Sequence, residues 1–466
     1  MFIGWSSRLP NLGTRVIASA AATPRDTQDA ADGPAGPTHP AARRVLRSAL
    51  QALAVFVVMT LACAPIVVHH IHQHPSLSPV DEATYADYLN KVGHGHFVIG
   101  TGERYGPYAS NQVACRGILP IIKPKPAVCN HPSRGTPYRP RDSADIDPPT
   151  YYVMTSLAAH VVTGLGVTHE LVTAGRLTGV LWGGAGLSVL YLLARLLGAG
   201  RLSSILACAV ALATPGVWTY WTYVTPHASD LLVGAAVSWG VLSWYRGRAP
   251  SWLLVVCGGV PVLVKATDAT IVAAMVLFLL LSAGWRGSGA ETEPLRAPRR
   301  LLAGAGLIIA GTGGASALWL AVRAHYSLTS SSDFPQFDVS AFHLSWLINS
   351  IGTFTQSFQA ALGLGVLITF WIYGSLVHYV SDRTQAQEYR TLALAAISVA
   401  MFGPWLYIVS SYVLIHQFVV IPVRYGLTLS PLALALGARN LRGRVGLAVA
   451  CTYVAVLVLV AFYKVA

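Results

Sequence analysis

Residues 47–69 read RSALQALAVFVVMTLACAPIVVH, an arginine followed by an almost uninterrupted apolar run. About 20 helical residues cross a hydrocarbon core about 30 Å thick. Inside such a core every backbone polar group must be satisfied within its own segment, so a block of this kind is expected to be a helix. The stretch therefore predicts a first membrane span, with Arg43, Arg44 and Arg47 on its cytoplasmic side.

Ten further apolar blocks repeat this pattern. They lie near 172–196, 204–222, 227–245, 252–264, 268–284, 301–322, 362–380, 391–413, 425–438 and 445–463. Of the 466 residues, 54% are hydrophobic and 11% are charged, whereas a soluble domain carries about 25% charged residues. The sequence predicts an all-α polytopic membrane protein with about 11 transmembrane helices.

Arginine placement predicts the orientation of these helices. The basic connections are Arg195/Arg201, Arg246/Arg248, Arg286 through Arg300, Arg383/Arg390 and Arg439/Arg442/Arg444. The positive-inside rule places these basic connections on the cytoplasmic side of the cell inner (plasma) membrane. The other connections are expected on its outer side. The net charge of +13 resides largely in these loops, and without a continuous basic face we expect no nucleic-acid partner.

The chain divides into a tail and a membrane domain. Residues 1–45 are rich in Ala, Pro, Gly, Thr and Asp, and predict a disordered cytoplasmic tail. Residues 46–466 form the transmembrane domain, in which 70–148 is a large first extracytoplasmic loop containing interfacial helices. A disulfide between Cys115 and Cys129 is expected if that loop lies outside the cytosol.

One apolar segment, 151–166, does not fit the arginine pattern as a span. No cytoplasmic arginine follows it before the next block, so a crossing here would place Arg195 and Arg201 outside. We favour a helix at the outer interface, or a re-entrant one. A short true span is the alternative.

The first candidate for chemistry is Asp81-Glu82, about a dozen residues beyond the first span. A carboxylate just outside the membrane can accept a proton from a hydroxyl of an interfacial substrate. The structural alternative is a helix N-terminus, where two acids after Ser78-Pro79 complement the helix dipole.

Two further candidates lie at predicted helix starts. Tyr151 and Tyr152 follow Asp147-Pro148-Pro149, and simple anchoring in an aromatic belt is the alternative to a role in binding. Asp230 follows Thr225-Pro226-His227 at an outward turn, either as a first-turn acid or as a group facing a polar cavity.

Lys265 with Asp268, and Arg424 with Tyr425, complete the candidates. The first two stand between two short apolar blocks and must be solvated, paired or cavity-lining, because an unpaired charge facing lipid is costly. Arg424 could hold a phosphate in bidentate fashion. The alternative is an arginine that snorkels to the headgroups.

The histidine-rich run 69–74 (HHIHQH) could bind a transition metal. A solvated interfacial patch is the more common role of such a run. We therefore assign no metal-binding residue.

In their order and spacing these features resemble the GT-C superfamily of polyprenyl-phosphate-sugar-dependent membrane glycosyltransferases, which includes protein mannosyltransferases and lipid A aminoarabinose transferases. The resemblance covers about residues 47–440. It rests on Asp81-Glu82, Pro148-Pro149 with Tyr151-Tyr152, Arg176-Leu177, Asp230, Lys265, and Arg424-Tyr425 ahead of Pro431.

The resemblance implies transfer of one sugar from a polyprenyl-phosphate carrier to a glycan, lipid or protein acceptor of the cell envelope, at the outer face of the membrane. It implies Asp81 as the base with Glu82 beside it, Lys265 and Arg424 near the carrier phosphate, and Tyr151 and Tyr152 along the sugar or lipid path. No cofactor is required, although a divalent cation, Mg²⁺ or Mn²⁺, serves some relatives.

Two other functional classes stay open at this stage. A secondary transporter or lipid flippase predicts ionisable residues deep in discontinuous helices, which Lys265 and Asp268 fit in part. A non-catalytic membrane assembly partner predicts that Asp81 can be replaced without consequence.

Overall fold

A computed structural model describes residues 40–124, 140–285, 297–328, 339–356, 364–418, 420–441 and 443–463. The chain forms two compact units, Met1–Ala49 and Leu50–Ala466. Within the first unit, only the beginning of a helix that starts at Pro40 is described. Most of the predicted tail and Cys129 lie outside the described residues, so the disulfide from Cys115 stays a prediction.

The described residues form helices and no β-strand, with three isolated bridges as the only β pairing among them. The helices are α1 (Pro40–Gln73), α2 (Glu82–Gly93), α3 (Pro107–Arg116), α4 (Thr150–Gly164), α5 (Leu171–Leu177), α6 (Gly179–Leu196), α7 (Arg201–Ala213), α8 (Pro215–Trp218), α9 (Asp230–Tyr245), α10 (Trp252–Val264), α11 (Ala269–Gly284), α12 (Pro298–Tyr326), α13 (Leu344–Ser350), α14 (Leu364–Ser381), α15 (Gln387–Ile415), α16 (Ser430–Asn440) and α17 (Arg444–Tyr463). This confirms the predicted all-α class.

Several helices are long and apolar enough to cross a membrane. Within the described ranges there are five, at Ala49–Gln73, Leu171–Leu196, Ala266–Gly284, Pro298–Tyr326 and Gln387–Val413. A sixth arises if the bent pair formed by α7 and Pro215–Trp221 counts as one span. In the described residues the chain is thus all-helical, with five or six helices able to span a membrane, and the number of 11 spans stays a prediction.

The predicted block 204–222 is wrong as a single helix. α7 ends at Ala213, Thr214 is extended (φ −81°, ψ 117°), and the helix axis turns by 68° before Pro215–Trp221. Pro215 contributes to this break, because the residue before a proline is disfavoured in the helical region. Hydropathy alone does not register this break.

The described parts of the loop, 70–124 and 140–148, fold around a small apolar cluster. α2 and α3 pack through Ala86, Ala109 and Val113, and Val172 of α5 joins the same cluster. The Lys91 ammonium ties the loop together, lying 2.7 Å from Asp87 and 3.3 Å from Asp142. These described parts are therefore folded against the helices, and the interfacial position of the loop stays a prediction.

α4 covers the segment whose membrane position was uncertain. Its 15 residues extend about 22 Å, less than the roughly 30 Å of a hydrocarbon core. It buries Tyr151 and Tyr152 on one side and exposes Met154 and Leu157 on the other. An apolar exposed face on a short helix supports the interfacial placement, which remains a prediction.

Connections assigned to the cytoplasm by their arginines contact one another. Arg246 pairs with Glu388 at 2.5 Å, and the Tyr389 hydroxyl donates to the Leu197 carbonyl at 3.2 Å. Ser203 donates to the Leu441 carbonyl at 3.0 Å. Four separate connections therefore meet at one end of the helices, as a common side of the membrane requires.

Candidate functional site

Asp81 stands at the exposed edge of a polar cluster formed by the connections predicted to lie outside. Its side chain is 46% exposed, and its Oδ2 lies 3.3 Å from Nη2 of Arg424, 343 residues away in sequence. The residue precedes α2 in a left-handed conformation (φ 60°, ψ 7°) and makes no side-chain capping bond to the helix. Both acids therefore lie at the N-terminus of α2, as the structural alternative predicts, although Asp81 makes no capping hydrogen bond.

The environment of Asp81 favours a protonatable carboxylate. Partial burial raises the pKa of Asp81 above its ordinary value, and the Arg424 guanidinium opposes that rise. A carboxylate with a raised pKa and an exposed face is suited to accept a proton from a hydroxyl.

Glu82, the neighbour of Asp81, is fully buried, and both of its carboxylate oxygens accept hydrogen bonds. Nε and Nη2 of Arg176 donate to its two oxygens at 2.8 Å each. The Val224 and Ser78 amides donate to the same oxygens at 3.1 and 2.7 Å. Each carboxylate oxygen thus accepts two hydrogen bonds, which is its full capacity. The geometry makes Glu82 a fixed anchor for the start of α2.

Arg424 connects the exposed and buried parts of the cluster. It lies in a 3₁₀ turn, Val423–Leu429, and its side chain is 20% exposed. Besides its contact with Asp81, its Nε lies 3.1 Å from Nε2 of His227. The turn can approach α9 this closely because position 234 is glycine: a Cβ there would lie 2.0 Å from the Thr428 carbonyl oxygen.

His227 is buried and has ionisable neighbours on both ring nitrogens. Its Nδ1 lies 2.9 Å from Asp230 Oδ2 and 2.8 Å from Lys265 Nζ. A guanidinium only donates, so Nε2 accepts from Arg424. Nδ1 faces both a carboxylate that accepts and an ammonium that donates, so the neutral ring forms a hydrogen bond either to Asp230 as donor or with Lys265 as acceptor. Tyr425 stacks on the ring at a centroid distance of 5.9 Å.

Lys265 closes the buried end of the cluster. It is extended (φ −161°, ψ 131°) between α10 and α11, and its ammonium contacts Asp230 Oδ1 and lies 3.3 Å from Asp268. Its side chain is only 3% exposed. The charge of Lys265 is thus already compensated by two carboxylates.

Tyr151 and Tyr152 lie behind the cluster, and both are fully buried. Tyr151 accepts a hydrogen bond from the Thr225 amide at 3.2 Å, next to the turn that carries His227. Tyr152 donates to Asp147 Oδ2 at 3.1 Å. Burial raises the pKa of Asp147 to about 7. The two tyrosines hold the surrounding segments in place, and neither is exposed enough to line a surface path.

The structure brings together all the site residues predicted from the sequence, with two different roles. Asp81, Arg424, Asp230, Lys265 and Tyr425 join one polar cluster, while Glu82, Tyr151 and Tyr152 support it. Sequence reasoning missed His227 as a member and Asp147 as the partner of Tyr152. Their signals were a histidine directly after Thr-Pro and an aspartate directly before Pro-Pro.

A cavity of about 300 Å³ lies beside this cluster, between α11 and α15. Its walls include Thr270, Leu406 and Tyr407. The Tyr407 ring contacts Tyr425 at a centroid distance of 5.9 Å. A mainly apolar cavity thus adjoins the polar groups.

The histidine run 69–74 lies at the C-terminal end of α1. Among the residues that the structure describes, no group of three or more His, Cys, Asp or Glu side chains is arranged to hold an ion. His70 stacks face to face on Trp218, with centroids 3.7 Å apart.

No family model matches the chain, and no curated protein matches it either.

Proposed function

We propose that this chain is a membrane glycosyltransferase that moves one sugar from a polyprenyl-phosphate carrier to a cell-envelope acceptor on the outer face of the membrane. The observation that carries the proposal is the Asp81–Arg424 pair. A half-exposed carboxylate and a guanidinium meet at 3.3 Å, although 343 residues separate them in sequence. Such a transfer requires a base for the acceptor hydroxyl, here Asp81, and a group that binds the carrier phosphate, here Arg424.

In the proposed reaction Asp81 accepts the proton of the acceptor hydroxyl as its oxygen attacks the anomeric carbon. The bond between that carbon and the phosphate oxygen breaks, and the carrier phosphate leaves with the bonding electrons. Phosphate leaves without needing much protonation, so a single carboxylate base suffices. Arg424 stabilises the negative charge that develops on the leaving phosphate.

The remaining residues act through these two. Glu82 fixes the start of α2 and with it Asp81. We assign Lys265 to the support of Arg424, through Asp230 and His227, because its charge is already compensated. This revises the expectation that Lys265 binds the phosphate directly. Tyr425 stacks on His227 and borders the place where the sugar would lie.

One observation favours a second candidate, a secondary transporter or lipid flippase. α10 ends at Val264 and α11 begins at Ala269, and Lys265 and Asp268 are buried at the break between them. Broken helices with ionisable residues are typical of transporter sites.

To test the proposal, membranes that contain the chain, or empty membranes, are incubated with radiolabelled polyprenyl-phosphate-mannose and polyprenyl-phosphate-arabinose. The proposal expects label in envelope acceptors only where the chain is present. Proteoliposomes loaded with the same donor provide the second arm. Movement of intact donor between leaflets, with no label transferred, would contradict the transferase and support the transporter.

A further inference from the structure

A groove that shares no lining residue with the polar cluster lies between α1, α6 and α7. Its volume is about 380 Å³, and its lining is almost wholly apolar. α1 contributes five residues between Ala54 and Ala62, and α6 contributes Leu187 and Tyr191. Val58 is 60% exposed, so the groove opens to the surface that faces lipid.

Two arginines stand at one end of this groove. In a helix, residues four apart lie on the same face. Arg195 follows the groove residue Tyr191 by four positions on α6, and Arg201 precedes the groove residue Ile205 by four positions on α7. One helical turn, about 5–6 Å, separates each arginine from the apolar lining.

Both arginines are exposed where α6 passes into α7. Arg195 Nη1 donates to the Ala199 carbonyl at 2.6 Å, which directs its side chain toward that connection. An apolar groove with two exposed arginines one turn beyond its lining complements a ligand that has an acyl chain and an anionic head.

We infer that this groove binds an anionic bilayer phospholipid, with one acyl chain along α1, α6 and α7 and its phosphate between Arg195 and Arg201. Arginine suits phosphate because its planar fork donates two parallel hydrogen bonds. The site shares no residue with the polar cluster, so it stands whether or not the chain is a transferase.

The test titrates the detergent-solubilised full-length chain with phosphatidylglycerol or phosphatidylcholine of identical acyl chains, and measures bound lipid by native mass spectrometry. The wild type should bind phosphatidylglycerol more tightly. Each arginine near an anionic headgroup contributes about fivefold in affinity, so R195Q/R201Q should weaken phosphatidylglycerol binding about thirtyfold and leave phosphatidylcholine binding unchanged.

Two further variants keep the test decisive. R248Q removes an exposed arginine outside the groove and should change neither affinity. A209F places a ring among the groove residues and should weaken both lipids, which tests the acyl site even if the double variant does not fold. Equal affinity of the wild type for both lipids would overturn the inference. So would unchanged binding in A209F, or preferential binding of polyprenyl phosphate over phosphatidylglycerol.

Discussion

At the residue scale, Asp81 and Glu82 are adjacent in sequence and opposite in environment. Asp81 has a left-handed backbone that non-glycine residues adopt at a cost of about 1–2 kcal/mol, and its side chain is 46% exposed. Such a conformation persists only where the surroundings impose it. Here the surroundings include the four hydrogen bonds to Glu82, which hold the first turn of α2 in place.

The first prediction separates anchoring from chemistry. E82Q should destabilise the protein by about 3–5 kcal/mol, because it leaves the buried Arg176 without its counter-charge. D81N removes a half-exposed ion pair and should cost at most about 1 kcal/mol. Thermal melting in detergent measures both, and equal melting temperatures for the two variants would contradict these roles.

The second prediction concerns Asp147. Burial raises its pKa to about 7, whereas the unfolded chain has an aspartate pKa of about 3.9. The unfolded state therefore loses this proton first, and stability falls as pH rises from about 4 to about 7, by up to about 1.4 kcal/mol per pH unit. The D147N variant has no carboxyl group at this position, so its stability does not fall with pH for this reason.

The melting temperature of D147N should therefore rise relative to that of the wild type between pH 5 and pH 7. Parallel melting curves for the two proteins over this range would show that Asp147 titrates normally. D382N is a suitable control, since it alters a carboxylate in a distant exposed connection.

At the element scale, the turn that carries Arg424 depends on close packing against α9. An added Cβ at Gly234 would lie 2.0 Å from the Thr428 carbonyl oxygen, so backbone must move. We predict that G234A lowers the melting temperature and displaces Arg424. In G314A of α12, no atom lies within 4 Å of the added Cβ, and this variant should be neutral or up to about 1 kcal/mol more stable. Similar behaviour of the two variants would contradict the packing argument.

The folded loop 70–148 depends on Lys91, whose ammonium contacts Asp87, Glu103 and Asp142. K91M leaves buried carboxylates uncompensated, so we expect a loss of about 3–5 kcal/mol in the loop and faster cleavage there by a soluble protease. K123M, at an exposed position of the same loop, should be cleaved at the wild-type rate. Equal cleavage of both variants would show that the loop does not need this contact.

At the scale of the whole molecule, the apolar pattern located the helices well. The block predicted at 252–264 matches α10 residue for residue. The pattern missed the bend at Pro215, because hydropathy carries no information about backbone dihedrals. It could not tell that Tyr151 and Tyr152 are buried, because an aromatic pair at a helix start suits both a membrane interface and a core.

The candidate site was predictable from the sequence only in outline. Arginine counting assigned the connections carrying Asp81, Asp230, Lys265 and Arg424 to one side, and the structure brings these residues together. Their partners could not be derived, because contacts across hundreds of residues depend on helix packing. His227 is the clearest case, since a single histidine at a helix start has many ordinary explanations.

The most direct measurement follows radiolabelled sugar from a polyprenyl-phosphate donor into envelope acceptors, in membranes with equal amounts of wild type, D81N and D142N. Asparagine keeps the size of Asp81 and removes the base, while Asp142 belongs to the Lys91 contact of the same loop. Loss of a general base lowers the rate by about 10²–10⁴-fold. We predict that loss in D81N, and transfer within about tenfold of wild type in folded D142N. Undiminished transfer by D81N would contradict the proposed active site.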